Sequence, residues 1–205
     1  KHGKGMYTYS SGDSYEGDYL KDKKHGKGIY TWADGKVYEG DFVNDKSHGM
    51  GVDTYSSGDT YEGDFVEDKK HGKGRYIYAS GSVYEGEYVN DKKHGKGMFT
   101  WPDGKAYEGD YLEDKRHGKG KLTSSNCDIY EGGFVEDEKH GKGLCKWSDG
   151  KVYEGDYLKD KRHGEGRMTS SDGDIYEGSF VEGKKHGKGV CARTDGSVYE
   201  GDYVE

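Results

Sequence analysis

One pattern of 23 residues, repeated without insertion or deletion, constrains the fold of this chain more than any other feature. The tripeptide Tyr-Glu-Gly recurs at this spacing, beginning at Tyr15, Tyr38, Tyr61, Tyr84, Tyr107, Tyr130, Tyr153, Tyr176 and Tyr199. A His-Gly pair keeps the same spacing and accounts for all nine histidines. A unit this short cannot bury an apolar face alone, so neighbouring copies must pack on one another as a repeat array.

The composition argues against a conventional two-layer core, because only 29% of the residues are hydrophobic and 35% are charged. Twenty Tyr, five Phe and three Trp nevertheless supply burial that a disordered polar chain would lack. Together these facts favour a thin, elongated fold in which each repeat contacts its neighbours.

Net charge and cysteine content narrow the class of protein further. A formal net charge of -8 argues against nucleic-acid binding, which needs a basic surface. The three cysteines, Cys127, Cys145 and Cys191, are too few and too scattered for a disulfide framework, so we expect a reducing, cytoplasmic location. The sequence begins and ends inside a repeat, so we expect residues 1–205 to form one continuous array taken from a longer protein.

The turn sequence sets the strand register within a repeat. Pro102-Asp103-Gly104 predicts a type I turn closed by a left-handed glycine, the three-residue loop of a β-hairpin. Side chains alternate along a strand, so one face carries aromatic residues and glycines and the other is polar. On the aromatic face we expect these facing pairs: Trp101 with Lys105, Phe99 with Tyr107, and Gly97 with Gly109. We infer that the facing glycines leave room for neighbouring rings over bare backbone.

The hairpins are joined by charged segments such as Lys21-Asp22-Lys23-Lys24, which predict a surface turn. Successive hairpins then pair edge to edge. The predicted fold class is all-β: an elongated, single-layer antiparallel β-meander of tandem 23-residue hairpins, roughly 85 to 90 Å long at the usual strand spacing.

The consensus Y-E-G-D-Y-L-x-D-K-x-H-G-K-G-x-x-T-W-x-D-G-x-V resembles the MORN repeat (membrane occupation and recognition nexus), and the match covers the whole chain. Nine copies with no appended domain are most similar to the purely MORN-built cytoskeletal scaffold proteins of unicellular parasites. The resemblance implies a groove that holds protein partners, an antiparallel homodimer through the C-terminal repeats, and a cytoskeleton-associated, membrane-adjacent location.

An aromatic stripe is the main candidate for a partner-binding groove. It consists of Tyr9, Trp32, Tyr55, Tyr78, Trp101 and Trp147. A single-layer sheet has no second layer to cover this stripe, so it predicts a protein-binding groove. The alternative is that rings and loops pack on one another and bury the stripe. The stripe fades at Ser124, Ser170 and Arg193, which predicts a different surface in the C-terminal third.

The resemblance and this fading place the dimer contact at Met168, Ser170, Phe180, Cys191 and Arg193. Cys145 and Cys191 hold equivalent positions about 20 Å apart, too far to share an intrachain zinc. An interchain zinc remains open, with Cys145, His163, His186 and Cys191 as candidate ligands. In the alternative interpretation the repeat histidines are structural.

Lysines near the links predict a second binding mode. Lys23, Lys24, Lys27, Lys70 and Lys93 are candidates for contact with anionic phospholipid, including phosphoinositides. Neighbouring acidic residues favour instead a solvated face. At one departure from the repeat, Cys127 replaces the turn glycine, which predicts a tolerated turn change or a bend with a reactive thiol.

The repeated carboxylates and histidines recur identically, whereas an active site is a unique constellation, so no residue is assigned a catalytic role. We therefore expect a non-enzymatic scaffold that self-associates and binds cytoskeletal proteins along the aromatic groove. The alternative is a peripheral membrane module that binds phosphoinositides.

Overall fold

The structure is a computed structural model that describes residues 1–126 and 128–204. These residues form strands and turns without a helix. The strands are β1 (Gly3–Thr8), β2 (Ser14–Leu20), β3 (Lys23–Thr31), β4 (Val37–Val43), β5 (Lys46–Thr54), β6 (Thr60–Val66), β7 (Lys69–Ile77), β8 (Val83–Val89), β9 (Lys92–Thr100), β10 (Ala106–Leu112), β11 (Lys115–Thr123), β12 (Ile129–Val135), β13 (Glu138–Lys146), β14 (Val152–Leu158), β15 (Lys161–Thr169), β16 (Ile175–Val181), β17 (Lys184–Ala192) and β18 (Val198–Tyr203). The predicted all-β class is confirmed.

The strands form one open antiparallel sheet, as the meander prediction requires. Contacts divide the chain into two compact units, Lys1–Pro102 with β1 to β9 and Asp103–Glu205 with β10 to β18. Within each unit, every strand pairs with the strands before and after it in the chain. Each unit therefore gains its stability from the packing of neighbouring hairpins.

The predicted register within a repeat is confirmed by the hairpin of β3 and β4. Tyr30 lies opposite Tyr38, and Gly28 lies opposite Gly40. The Trp32 N–H donates to the Lys36 carbonyl at 2.8 Å and closes the three-residue loop. The loop glycine has a φ of 90°, the left-handed conformation that the turn sequence demands.

The link between repeats is tighter than expected. Leu20 pairs with Lys23, so only Lys21 and Asp22 form the turn, with φ angles of 48° and 66°. Two left-handed residues between paired strands make a type I′ turn. Lys23 and Lys24, predicted to lie in a surface turn, are instead the first two residues of β3. The short turn fixes which face each later side chain occupies.

Two aromatic residues per repeat form the core, all on one face of the sheet. Tyr15 is fully buried, and its ring meets Tyr19 and Phe42 edge to face, with centroids 5.2 and 5.1 Å apart. The Tyr15 hydroxyl donates to the Asp18 carbonyl at 2.9 Å. We call this set the inner aromatic row; its buried tyrosines and phenylalanines are Tyr15, Tyr19, Tyr38, Phe42, Tyr61, Phe65, Tyr84, Tyr88, Tyr107, Tyr111, Tyr130, Phe134, Tyr153, Tyr157, Tyr176 and Phe180.

The facing glycines serve the purpose inferred from the sequence. A Cβ atom added to Gly17 would lie 2.5 Å from the Tyr15 hydroxyl oxygen, and one added to Gly28 would lie 2.5 Å from the Tyr15 Cε2. The tyrosine ring therefore lies directly over bare backbone. This contact lets a sheet with a single layer bury large rings without a second layer.

Candidate interaction surfaces

The predicted groove residues belong to an outer aromatic row beside the core, on the same face of the sheet. In the first unit this row consists of Tyr7, Tyr9, Tyr30, Trp32, Tyr55, Tyr76, Tyr78, Phe99 and Trp101. Its rings contact one another at tilted angles, with centroids 4.5 Å apart for Tyr30 and Trp32 and 4.4 Å apart for Tyr76 and Tyr78. All six predicted groove residues, Tyr9, Trp32, Tyr55, Tyr78, Trp101 and Trp147, are half-buried. The row has much of its surface covered by its own members.

Basic side chains cover the aromatic rows further. Lys24 lies opposite Tyr19 in the register, so it points to the aromatic face. Its Nζ lies 4.2 Å from the Tyr30 ring centroid, a cation–π distance, and burial lowers the pKa of its ammonium group. Lys70 and Lys93 take the equivalent positions, 4.3 Å from the Tyr76 centroid and 4.7 Å from the Phe99 centroid.

The five candidate lipid-binding lysines are therefore divided between the two faces. Lys24, Lys70 and Lys93 lie over rings, as described above. Lys23 is exposed, and Lys27 lies on the opposite face, where its Nζ is 2.9 Å from Asp41 Oδ1. The structure does not bring the five side chains together along one edge.

The pattern of rings and cations breaks in the third repeat. Asp53 replaces the ring and Ser47 replaces the cation, and both are buried, at 3% and 7% exposure. Lys36 Nζ lies 3.1 Å from Asp53 Oδ2, and the Tyr55 hydroxyl donates to the same oxygen at 3.0 Å. Burial, together with the Asp53 charge, raises the pKa of Tyr55 well above its usual range. The repeat pattern alone does not reveal this break, because the roles of Ser47 and Asp53 depend on which side chains share a face.

The opposite face carries a groove that sequence analysis classified simply as polar. It has a volume of about 770 Å³ and runs across β1 to β6. We call it the glycine groove, because glycines form its floor: Gly5, Gly17, Gly28, Gly40 and Gly51. The signal was visible in the sequence, since Met6, Ile29 and Val52 share one repeat position and alternate across the sheet with Glu16, Glu39 and Glu62.

Apolar side chains are exposed along this groove. Met6 is 70% exposed, Met50 51%, Ile29 39% and Val52 38%. Met6, Ile29 and Val52 form one wall of the groove. The other wall consists of Lys4, Lys27 and Met50, each of which lies two residues earlier on the same strand. An exposed apolar row in a concave site, bordered by charge, is typical of a surface that binds another protein.

Comparison of the sequence with family profiles decides the family. The profile of the MORN repeat matches nine segments, namely residues 1–14, 15–37, 38–60, 61–83, 84–106, 107–126, 130–152, 153–175 and 176–198. The chain belongs to the MORN-repeat family. The resemblance inferred from the consensus is thereby confirmed, and no curated protein sequence matches this MORN array.

Solved structures share the fold of the MORN array at low sequence identity. The TCP10 domain of Danio rerio CPAP is 11% identical, with a TM-score of 0.52 and coverage of 96% of this chain and 93% of that chain. The same domain in complex with a peptide of Danio rerio STIL is 10% identical, with a TM-score of 0.51 and coverage of 96% and 82%. At these identities the likeness concerns the fold alone.

The candidate metal ligands of the MORN array are not gathered in one place. Cys145 is buried in β13, and burial raises the pKa of its thiol, whereas Cys191 is half-buried in β17. Four strand spacings separate them, about 19 Å. His163 is half-buried and His186 is exposed. Within residues 1–126 and 128–204, no three or more potential ligands form a metal-binding group. The interchain zinc stays a prediction.

The candidate dimer-contact residues occupy different environments. Met168, Ser170 and Cys191 border one cavity of about 210 Å³. Arg193 is exposed, whereas Phe180 is 1% exposed and belongs to the inner aromatic row. Phe180 therefore contributes to the core, and the dimer contact stays a prediction. The prediction made for Cys127 lies outside the described residues.

No helix in the described part of the chain is long and apolar enough to cross a membrane.

Proposed function

We propose that this MORN array is an interaction scaffold that binds an extended segment of a partner protein in the glycine groove. The observation that carries the proposal is the groove of about 770 Å³ with exposed Met6, Ile29, Met50 and Val52. The rings of the outer aromatic row contact one another beneath basic side chains, which makes that row the weaker candidate.

The width of the groove favours an extended segment over a helix. Its walls are built from side chains two residues apart on each strand, such as Lys27 and Ile29 or Met50 and Val52. The rise of a strand puts such side chains about 6.8 Å apart. An α-helix with side chains is about 10 to 12 Å wide, so it would not enter between the walls.

The spacing along the groove favours a polyproline II conformation. Met6, Ile29 and Val52 recur on every second strand, which is about 9.6 Å. A polyproline II turn of three residues advances about 9.3 Å, so a residue at every third position would meet one apolar side chain. Glu16, Glu39 and Glu62 lie between these side chains and suit basic residues in the partner.

The related fold gives this proposal external support. The CPAP TCP10 domain shares the fold and was solved in complex with a peptide of STIL. A single open β-sheet of this kind is therefore able to present a surface to a protein segment.

We also propose that the chain self-associates through its C-terminal repeats and that it has a cytoplasmic, cytoskeleton-associated location. The cavity of about 210 Å³ beside Met168, Ser170 and Cys191 supports a contact in that region. Light scattering should give twice the mass of one chain. Addition of a chelator should halve that mass where zinc bridges the chains. A monomeric mass at tens of micromolar would disprove the self-association.

The binding site is tested with random peptides of about eight residues, the length that spans the groove in polyproline II conformation. Selected peptides should carry an apolar residue at every third position. Calorimetry should then show at least about tenfold weaker binding to Val52→Glu, because a charge replaces one apolar contact.

Val43→Glu is the matched control. Val43 and Val52 are the same residue type with the same exposure of 38%, but Val43 lies outside the groove at the end of β4. Its affinity for the selected peptide should equal that of the unmodified protein. Equal binding by Val52→Glu, or selection of no peptide at all, would overturn the proposal.

A further inference from the structure

A basic residue covers the buried rings at one position of nearly every repeat. In the described chain the residues at this position are Lys1, Lys24, Ser47, Lys70, Lys93, Arg116, Lys139, Arg162 and Lys185. The cations lie over aromatic rings at cation–π distances, for example 4.5 Å for Lys139 over Tyr130 and 4.5 Å for Lys185 over Tyr176. Ser47 is the exception, and its short side chain does not reach the rings.

A cavity of about 110 Å³ lies at the place of this missing cation. Its walls carry the rings of Tyr30, Trp32, Tyr38, Phe42 and Phe65, and the charged residues Lys24, Lys36, Asp53 and Asp68 line it as well. By the 23-residue spacing, a lysine at position 47 would lie over Tyr38 and Phe65, because Lys24 covers the equivalent rings of Tyr15 and Phe42 one repeat earlier. The cavity is therefore the space that a basic side chain fills elsewhere in the array.

Asp53 supplies a second, independent observation. Its side chain is 4% exposed, and its Oδ2 accepts the contacts from Lys36 and Tyr55. Its Oδ1 is buried and has no hydrogen-bond partner. A buried carboxylate oxygen without a donor is costly, and in native proteins such an atom calls for a ligand, ion or water.

The charges around the cavity differ from those of the other repeats. Lys36 pairs with Asp53, so these two charges offset each other. Asp68 accepts the Ser47 N–H at 2.7 Å, as Asp91 accepts the N–H of Lys70 at 2.9 Å. Asp68 is thus retained, whereas the cation that accompanies the equivalent aspartate elsewhere is replaced by Ser47. Lys24 borders the cavity as well, so the charges of the lining residues balance, and the case for a cation rests on Asp53 Oδ1 and on the shape of the cavity.

We propose that the cavity binds a lysine or arginine side chain of a partner protein, whose cation donates to Asp53 Oδ1. The aliphatic stem of that side chain lies against Tyr38 and Phe65, in place of the absent residue. Asp53 and Val52 are neighbours on β5 and point to opposite faces, so this site is separate from the glycine groove and goes beyond the function proposed above.

The test is an NMR titration of the whole chain with blocked lysine, that is, N-acetyl-lysine methylamide, which keeps the side-chain ammonium group. The amide signals of Ser47 and Asp53 should shift and saturate. Blocked norleucine, which has a similar stem without the charge, should bind at least about tenfold more weakly, because it offers Asp53 no charged donor.

Three variants locate the site. Ser47→Lys should fill the cavity from within and abolish the saturable shifts, whereas Ser47→Ala leaves the cavity open and should retain them. Asp53→Asn should weaken binding of blocked lysine by about tenfold or more. Retained binding of the groove peptide by all three variants would show that they are folded, and keeps this test separate from that of the groove.

Two results would overturn the proposal. Equal affinities for blocked lysine and blocked norleucine would mean that the cavity recognises no charge and that water satisfies Asp53. Saturable shifts of equal size in Ser47→Lys would mean that the ligand binds elsewhere.

Discussion

In each repeat, the burial of one tyrosine ring depends on two glycines, whose lack of a side chain leaves room for the ring. The Tyr15 ring lies over Gly17 and Gly28, and its hydroxyl donates to the Asp18 carbonyl at 2.9 Å. Glycine in a strand interior usually weakens the strand, because it loses more backbone entropy on folding than other residues and adds no side-chain contacts. Here the loss is offset by a ring that is fully buried.

This packing predicts that Gly28→Ala is destabilising. The added Cβ would lie 2.5 Å from Tyr15 Cε2, so the ring must move out of its buried place. Overpacking of this kind costs about 2 to 3 kcal/mol. Urea denaturation should show the loss as a lower midpoint with an unchanged slope.

Gly5→Ala is the control, since Gly5 holds the same repeat position in β1. Its added Cβ would lie 3.5 Å from Tyr19 Cε2, an ordinary contact. We expect a change in the free energy of unfolding below about 1 kcal/mol. A similar loss for both variants would contradict the proposed role of the ring.

At this scale the sequence predicted the glycine contact but not the covering of the outer aromatic row. The facing glycines follow from the alternation of side chains once the turn is placed. The position of Lys24 over Tyr30 depends on whether Lys24 lies in a turn or in a strand. The charged segment did not reveal this, and the lysines were therefore expected at an exposed edge.

The two kinds of turn differ in how clearly the sequence indicates them. Apart from the loop at Cys127, the three-residue loops carry a glycine with positive φ, and Pro102 strengthens the signal in one of them. The two-residue turns between repeats consist of pairs such as Lys21-Asp22 and Asn44-Asp45, which resemble ordinary charged surface. Only Glu182-Gly183 among the described two-residue turns contains the expected glycine.

The aspartate of the two-residue turn has a further role that local sequence does not reveal. Asp160 Oδ1 accepts the Lys139 N–H at 2.9 Å, and the Asp160 N–H donates to the Lys139 carbonyl at 3.1 Å. Lys139 is 21 residues earlier, so the bonds join one repeat to the next. The gain from these bonds explains why a residue with a side chain keeps a left-handed conformation there.

Glycine substitutions at Lys159 and Asp160 should separate strain from hydrogen bonding. The two residues have φ angles of 49° and 64°, so glycine relieves similar strain at either position. Only Asp160 accepts the Lys139 N–H. We expect Asp160→Gly to be less stable than Lys159→Gly by about 1 to 2 kcal/mol in urea denaturation. Equal stabilities would show that the carboxylate bond contributes nothing.

Across the whole molecule, the repeated positions build the core and the glycine groove, whereas a departure from the repeat produces the cavity beside Asp53. The inner aromatic row recurs in both units with little change. The cavity beside Asp53 arises where two repeat positions change together, at Ser47 and Asp53. The sequence carried both substitutions, but their meaning depends on which side chains share a face and which oxygen lacks a donor. Those facts require the register and the packing.

The buried tyrosines predict loss of stability at alkaline pH. Burial raises the pKa of Tyr15 and of Tyr153 to about 12, and burial together with the Asp13 hydrogen bond raises that of Tyr30 to about 12. The pKa of an unfolded tyrosine is about 10. The folded chain thus holds these protons more tightly, and this contribution to stability is fully present below about pH 10. It is lost as the pH rises through about 12.

Urea denaturation at a series of pH values should therefore show that tyrosine ionisation leaves the free energy of unfolding unchanged up to about pH 10. Above that pH the free energy of unfolding should fall steeply. Tyrosinate absorbance should rise together with the loss of strand signal in circular dichroism, because buried rings ionise when the sheet opens. Tyr15→Phe removes one such proton and should make the fall shallower, although it also removes the bond to the Asp18 carbonyl. Ionisation of the buried tyrosines near pH 10 with the strand signal intact would contradict this account, since it would mean that the sheet does not protect their hydroxyl groups.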